Sequence, residues 1–288
     1  MAAVCNGLSI EGNTPVSPRR KRLDDRSRVF AGAEYLTTLS KNYPAVLENG
    51  VNTFGFVQDW ITAKERLNQY DDGARFVPFD RRSFEAKHHA WEISTGGDLR
   101  WVAARLTYKG LIILKPPFDL VLYSNLIWEL QPRAILEFGA LQGGSSLWFA
   151  DQLDCLSPEG EVHSFELLTK CIHNRARTHP KLHFHEVDLF DLSTLNRMLF
   201  EKLPHPWLVV DDAHMNLKVV VEFVAQFMQP GDYYVWEDIL LPESRNQELI
   251  TEMTALAQKF NFLVDVKYAD AFGANVTCSP NSWLRKSS

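Results

Sequence analysis

The sequence has few cysteines and no spacing among them that indicates a disulfide framework or a zinc knuckle. The four cysteines, Cys5, Cys155, Cys171 and Cys278, lie far apart, and none belongs to a Cys-x-x-Cys pair. We therefore expect reduced thiols and a cytoplasmic protein. No stretch approaches the roughly 18 uninterrupted apolar residues of a membrane span, and the first twenty-odd residues lack the apolar segment of a signal peptide. A membrane is therefore not an expected partner.

The sequence also lacks an excess of positive charge. Its 30 Lys and Arg residues face 36 Asp and Glu residues, which leaves a net charge of −6. No global positive field is then available to hold a phosphate backbone, so nucleic acid is not an expected partner. Apolar residues make up 45% of the chain, and this value excludes a chain that is disordered or coiled-coil over its full length.

The composition changes along the chain and predicts three parts. Residues 1–28 are polar and punctuated by proline and glycine, which indicates a mobile tail. Residues 29–107 carry aromatic and apolar positions at helical spacing and predict a helical cap or dimerisation segment, hence a homodimer. Residues 108–288 form the third part, which is expected to be the catalytic domain.

Strand-like and helix-like segments alternate through this third part. The apolar run Ala134–Phe138 comes early, and a last strand is expected near Val276–Thr277. Such alternation is typical of an α/β fold with a doubly wound, Rossmann-like parallel sheet. In these sheets ligands bind beyond the carboxyl ends of the strands, so the residues that directly follow each apolar run are the candidates for function.

A glycine-containing loop follows the first of these strands. Glu137 is followed by Gly139, Gly143, Gly144 and a serine that can cap the next helix, Ser145. A leucine at 141 occupies the second glycine position of the dinucleotide fingerprint, which disfavours a nicotinamide cofactor. The spacing E-x-G-x-x-x-G-G instead resembles the first motif of class I S-adenosylmethionine-dependent methyltransferases. The alternative is a tight turn in an unrelated α/β protein.

Acidic residues follow four further strands. Glu166 stands where a carboxylate would hold a ribose diol, and Asp188 stands where methyltransferases of this class place an acid near the adenine amino group. Asp211, Glu237 and Asp238 follow two strands expected to be neighbours, so their carboxylates could bind Mg²⁺. The alternative for these aspartates is helix capping.

Histidine 214 follows the same strand as Asp211. Its imidazole is a candidate general base that would take a proton from an acceptor hydroxyl, with a structural hydrogen bond as the alternative. We therefore assign catalytic roles to His214 and Asp211.

Several separated motifs occur together between residues 110 and 284. They are Lys115-Pro116 with Asp119, the Glu137–Ser145 loop, Asp211-x-Ala213-His214, Gly231-Asp232-Tyr233 with Glu237-Asp238, and the segment from Tyr268 to Asn281. In this order they resemble the cephalosporin hydroxylase/rhamnosyl O-methyltransferase family. The resemblance implies an S-adenosylmethionine-dependent O-methyltransferase of secondary metabolism, with an acidic Mg²⁺ site at Asp211, Glu237 and Asp238. The residues expected to contact the cofactor are Glu137, Gly139, Ala140, Gly143, Ser145, Glu166, Asp188 and Asp211.

The expected reaction is methyl transfer to a hydroxyl or carboxylate of a small metabolite. A carboxylate acceptor needs no base but does need a cation to orient it, and Lys115 and Arg245 are candidates for that role, with a solvated loop lysine as the alternative for Lys115. Two other classes remain open. An oxidoreductase or hydroxylase would need a nicotinamide site or a His-x-Asp iron triad, and a non-catalytic scaffold would not need the intact glycine loop and acids.

Overall fold

A computed structural model of the chain describes residues 72–84, 107–213, 215–238 and 243–288. These residues belong to the second of two units into which the chain divides, residues 70–288. The expected mobile tail, residues 1–28, lies outside the described residues, and so does most of the expected helical segment 29–107. Both expectations therefore stay predictions.

Eight strands form one central sheet, and two short strands form a separate antiparallel hairpin. The sheet strands are β1 (Phe76–Pro78), β4 (Ala134–Phe138), β5 (Glu161–Glu166), β6 (Leu182–Glu186), β7 (Trp207–Asp211), β8 (Tyr233–Trp236), β9 (Phe262–Asp265) and β10 (Trp283–Lys286). The hairpin strands are β2 (Thr107–Tyr108) and β3 (Leu111–Ile112).

The order across the sheet is β6-β5-β4-β7-β8-β10-β9-β1. The five strands from β6 to β8 are parallel, whereas β10 runs antiparallel to both of its neighbours. After β4 the chain adds β5 and β6 on one side and then returns to place β7 on the other. This reversal lies between β4 and β7, and it opens a crevice at the carboxyl ends of these strands.

Helices connect the strands. They are α1 (Asp72–Arg75), α2 (Pro117–Leu130), α3 (Gly144–Leu156), α4 (Asn174–Arg177), α5 (Arg197–Lys202), α6 (Leu217–Val224), α7 (Glu243–Lys259) and α8 (Val266–Ala269), with single 3₁₀ turns at Phe79–Arg81, Thr169–Cys171 and Leu192–Thr194. In the described residues no helix is long and apolar enough to cross a bilayer.

Both faces of the sheet are covered. On one face, the Glu137 carboxylate of β4 accepts hydrogen bonds from Ser146 of α3 and Ser164 of β5. On the other face, Phe165 of β5 stacks on Phe138 of β4 and on Phe200 of α5. Because side chains alternate along a strand, a sheet covered on both faces needs near-continuous apolar strands, and β4 and β7 are buried along their full length. The predicted doubly wound α/β fold is confirmed.

Two local details differ from the sequence analysis. Residues 76–78, inside the segment expected to be a helical cap, form the edge strand β1 that pairs with β9. The last strand is β10, not Val276–Thr277, because the Asp119 carboxylate binds the Thr277 hydroxyl and the Cys278 backbone in a buried loop.

Candidate functional site

The glycine loop after β4 begins with Gly139, and no other residue type could occupy this position without strain. Gly139 has a φ of +91°, and a Cβ added there would lie 2.7 Å from the backbone oxygen of Asp212 and 2.9 Å from Cα of Ala213. The loop after β4 thus lies directly against the loop after β7, at the point where the strand order reverses. Glycine is needed here both for its backbone conformation and for this close approach.

The rest of the loop is held by its own backbone and by β5. Leu141 adopts a φ of +50°, and its backbone N–H donates to Oε2 of Glu166 at 2.9 Å. Helix α3 is capped by Gly143, whereas Ser145, which was expected to be able to cap it, lies buried inside its first turn. Gly144 packs so closely on β3 that a Cβ would overlap the backbone oxygen of Ile112. The loop therefore has one well-defined position.

A cavity of about 410 Å³ lies at the carboxyl ends of the parallel strands. This volume falls within the range of small-molecule sites. Each strand-end loop contributes to the lining, and the β2–β3 hairpin closes one side. The lining residues are Ile112, Leu114, Lys115, Gly139, Ala140, Leu141, Ser145, Phe165, Glu166, Leu167, Val187, Asp188, Leu189, Phe190, Asp212, Ala213, Met215 and Asp238.

The described lining of this cavity is rich in acids. Four carboxylates contribute to it, those of Glu166, Asp188, Asp212 and Asp238, and one basic side chain does, that of Lys115. In a partly enclosed space this excess of negative charge favours a ligand with positive charge and disfavours a phosphate group. The rest of the lining is largely apolar, with leucine, valine and phenylalanine side chains.

Glu166 and Asp188 lie on the wall formed by β5 and β6. The Glu166 carboxylate accepts hydrogen bonds from the backbone N–H groups of Leu141 and Leu168. Asp188 accepts from the backbone N–H of Phe190 at 2.9 Å. A carboxylate has about four acceptor positions, so each of these groups retains capacity for a ligand hydroxyl or amino group.

Glu137 is fully buried and is not among the residues that line the cavity. Its carboxylate accepts hydrogen bonds from Ser146 and Ser164, and burial raises its pKa. Glu137 therefore joins the start of α3 to β4 and β5. Glu137 would therefore affect a bound ligand by holding the glycine loop in position, and not by contacting the ligand.

The carboxylates of Asp211 and Asp212 reach different surroundings, because Asp211 is the last residue of β7 and Asp212 begins the loop that follows it. Asp211 pairs with Trp236 across β7 and β8, and its buried carboxylate accepts a hydrogen bond from the Tyr234 hydroxyl at 2.9 Å. Asp212 is the residue that lines the cavity. The sequence analysis selected Asp211 and missed Asp212, although the strict alternation of a strand offers both residues of an Asp-Asp pair.

Lys115 is a buried residue, with 1% of its surface exposed, and not a solvated loop lysine. Its ammonium group contacts the carboxylates of Glu237 and Asp212, the latter at 3.0 Å. Tyr123 of α2 donates to the other Glu237 oxygen at 2.5 Å. Burial lowers the pKa of Lys115, but the carboxylates of Asp212, Glu237 and Glu137 outweigh burial and hold the pKa well above its usual value. Lys115 is therefore a charged group at the cavity wall.

The three acids expected to bind Mg²⁺ do not converge in this structure. Asp211 faces Tyr234, Glu237 faces Lys115 and Tyr123, and only Asp238 lines the cavity. Within the described ranges, no group of three potential ligand atoms lies together at this end of the sheet. His214 lies outside the described residues, as does the side chain of Arg245, whose backbone belongs to α7. Their assigned roles stay predictions.

A family model for rhamnosyl O-methyltransferase/CmcI matches residues 100–287. The chain belongs to this family. The match covers both the central sheet from β4 to β10 and every strand-end loop of the cavity. The family resemblance stated from the sequence motifs is confirmed.

Curated and solved members of the rhamnosyl O-methyltransferase/CmcI family are similar to parts of the chain. A rhamnosyl O-methyltransferase of Mycobacterium bovis (strain BCG / Pasteur 1173P2) is 28% identical over 157 residues, 53% of this chain and 62% of the relative. The Mycobacterium leprae (strain TN) protein of the same name is 28% identical over 173 residues, 58% of this chain and 71% of the relative. The chain thus spans less than two thirds of the first relative's length.

Two solved structures share the fold. One, described as "CmcI-N160 apo-structure", is 25% identical with a TM-score of 0.56 and covers 64% of this chain and 76% of its own. The other, described as "cmcI-D160 Mg-SAM", is 24% identical with a TM-score of 0.56 and covers 74% of this chain and 91% of its own. Because the second structure is less than 25% identical to this chain, its similarity supports the fold alone.

Proposed function

We propose that this protein is an S-adenosylmethionine-dependent O-methyltransferase that acts on a hydroxyl or carboxylate of a small metabolite. The observation that carries the proposal is the cavity at the reversal of strand order, with four acids and one base in its described lining. S-adenosylmethionine has a sulfonium and an ammonium group against one carboxylate, so its net positive charge suits this lining. Membership of the rhamnosyl O-methyltransferase/CmcI family supports the same chemistry.

The cofactor would lie along the loops after β4, β5 and β6. We assign its ribose hydroxyls to the Glu166 carboxylate and its adenine to the apolar walls around Leu167 and Phe190, with Asp188 near the adenine amino group. The amino-acid end would lie at the glycine loop, where Gly139 and Ala140 form the wall. The apolar lining excludes water, which would otherwise compete with the acceptor.

The acceptor would bind at the end of the cavity where Lys115, Asp212 and Asp238 meet the strand-end loops. The sulfonium supplies an activated methyl group, so the protein's task is to align an acceptor oxygen with it. For a carboxylate acceptor, the ammonium of Lys115 and the guanidinium of Arg245 are the proposed orienting cations. For an alcohol, His214 is the proposed general base, and replacement by asparagine should lower the rate with alcohol acceptors only.

The acids named from the sequence do not form a magnesium site as they lie. Lys115 already contacts Asp212 and Glu237, and the carboxylate of Asp211 points to Tyr234, so the acids expected from the sequence do not fit a shared ion as they lie. We therefore derive no step through a metal. Activity in EDTA tests this point directly.

The deciding experiment is calorimetric titration with S-adenosylhomocysteine. Wild-type protein should bind it, and Glu166→Gln should weaken binding by roughly tenfold or more, because a hydrogen bond to a charged group contributes about 1.5–3 kcal/mol. The matched control is Glu159→Gln, whose side chain is 76% exposed and pairs with Arg133. This control should bind like wild type. No binding by wild-type protein would overturn the proposal.

We also propose a homodimer formed through residues 29–107 and a cytoplasmic location. The aromatic-rich sequence of that segment supports the dimer. The small number and wide spacing of the cysteines in the sequence support reducing surroundings. Sedimentation equilibrium of the full chain and of a chain that starts at residue 108 would test the dimer, and fractionation of cells would test the location.

A further inference from the structure

Two histidines and a glutamate lie together at the amino ends of β5 and β6, on the face of the sheet that carries Phe165. His163 and His183 are directly paired across the two parallel strands, and Glu161 lies two residues before His163 on the same face. The two imidazole rings stack with their centroids 4.7 Å apart. Nothing in the proposed methyl transfer uses these three residues.

The free imidazole nitrogens point to a missing ligand. Nε2 of His163 and Nε2 of His183 are both buried and make no hydrogen bond of good geometry in the described part of the chain, although the Glu161 carboxylate lies 3.2 Å from the His183 nitrogen. His163 as a whole is only 5% exposed. A buried nitrogen without a partner costs stability, and such atoms are uncommon in folded proteins. Two of them side by side therefore call for a shared partner.

A carboxylate completes the set. Oε2 of Glu161 lies 3.2 Å from Nε2 of His183 and 3.9 Å from Nε2 of His163. All three ligand atoms lie within 4.8 Å of one another. In a tetrahedral zinc site with bonds of about 2.1 Å, ligand atoms are about 3.4 Å apart. Glu161 and His183 are 55% and 40% exposed, so both side chains have room to turn. Such a turn would close the remaining distance and move the His183 ring out of the stack, so that both Nε2 lone pairs face one point.

A second contact orients the buried ligand. Nδ1 of His163 lies 3.1 Å from Nε2 of His185, which is on the same face of β6. A hydrogen bond from Nδ1–H of His163 to His185 leaves the lone pair on Nε2, the atom directed at the cluster. A partner on the second ring nitrogen is the usual arrangement for histidines that bind metals.

We propose that Glu161, His163 and His183 form a binding site for a divalent transition-metal ion, with Zn²⁺ as the best match. Two imidazole nitrogens and one carboxylate oxygen are a zinc-type ligand set, whereas Mg²⁺ prefers oxygen ligands alone. Water would take the fourth position. The ion would join edge strand β6 to β5, about 10–17 Å along the strand from Glu166 at the cavity.

A second cluster offers a matched comparison. Asp151, Asp154 and His179 also place three potential ligand atoms together. Its acids already have cationic or hydroxyl partners, because Asp151 binds Tyr108 and Lys109 and Asp154 pairs with Lys181. We expect this second cluster not to compete for the ion.

The test is equilibrium dialysis of chelator-treated full chain against ZnCl₂ in excess Mg²⁺, which occupies sites made of oxygen alone. Wild-type protein should take up one Zn²⁺ per chain, with a concentration-dependent rise in melting temperature. His183→Gln and Glu161→Gln should each weaken zinc binding at least about tenfold. Asp154→Asn should bind zinc like wild type.

The same variants also report on the fold. Both substituted residues are partly exposed, and His183→Gln should still bind S-adenosylhomocysteine with wild-type affinity, because it lies at the opposite end of the strands from the cavity. Failure of wild-type protein to take up zinc would overturn the proposal. So would unchanged zinc affinity in both His183→Gln and Glu161→Gln, or loss of zinc in Asp154→Asn.

Discussion

Replacing Gly139 by alanine should damage both stability and cofactor binding. The residue has a φ of +91°, a conformation that costs an L-residue about 1–2 kcal/mol. The new Cβ would also lie within 3.0 Å of three backbone atoms of Asp212 and Ala213, which cannot turn away as a side chain can. Displacement of packed groups of this kind costs about 1–3 kcal/mol. The free energy of unfolding should therefore fall by about 2–5 kcal/mol.

A second glycine separates these two effects. Gly231 has a φ of +100°, but the nearest heavy atom to its added Cβ is the flexible end of Arg285 at 3.9 Å. Gly231→Ala therefore carries only the conformational cost of about 1–2 kcal/mol. Gly231 precedes β8, at the end of the sheet opposite the cavity, so S-adenosylhomocysteine affinity should not change in this variant.

Urea unfolding and calorimetric titration of both variants provide the measurement. Gly139→Ala should be destabilised more than Gly231→Ala by about 1–3 kcal/mol, and it should bind S-adenosylhomocysteine at least about tenfold more weakly. The reasoning is refuted if the two variants unfold at the same urea concentration and bind the ligand equally well. That result would mean that the contact between the loops after β4 and β7 does not shape the cavity.

Three further outcomes are expected. Lys115→Met should lower the free energy of unfolding by about 3–5 kcal/mol in urea titrations, because it leaves buried carboxylates without their cation. The control Lys109→Met changes a side chain that is 49% exposed and should lower the free energy of unfolding by less than about 1 kcal/mol. Methyl transfer should persist in EDTA, and loss of activity that Mg²⁺ restores would show that the acids at the cavity rearrange around an ion. Burial raises the pKa of Glu129, but hydrogen bonds from Arg75 and Lys267 outweigh burial and lower it to about 2, from an ordinary 4.5. Glu129 therefore contributes stability above pH 4.5 that is lost as the pH falls toward 2. The contribution is about 1–2 kcal/mol after allowance for its 35% exposure. Glu129→Gln should flatten this part of a plot of the free energy of unfolding against pH.

Local patterns were sufficient for much of the fold. Apolar runs such as Ala134–Phe138 became fully buried parallel strands, because a strand covered on both faces has no position where water contacts a polar side chain. The short strands at the sheet edge were harder to predict from the sequence. Residues 76–78 are too few to show the alternation that predicts a strand, and β1 forms because β9 offers an unpaired edge to it.

The residues of the candidate site also differ in how far the sequence alone could identify them. Glu166, Asp188 and Asp238 could be found from the sequence because each lies at the carboxyl end of a strand or two residues beyond it, and needs only the parallel topology to reach the cavity. The burial of Lys115 could not be predicted from the sequence. Its burial depends on Asp212 and Glu237, 97 and 122 residues further along the chain, and no local pattern encodes such partners.

By itself, the sequence determined the alternation of strands and helices, the glycine loop and the family, since these depend on residues close together in the chain. Tertiary structure alone decided which of two adjacent aspartates faces the cavity, whether the acids meet, and that Glu161, His163 and His183 form a cluster. The physical reason is that strand register sets which side chains share a face, and register is a property of paired strands rather than of either strand alone.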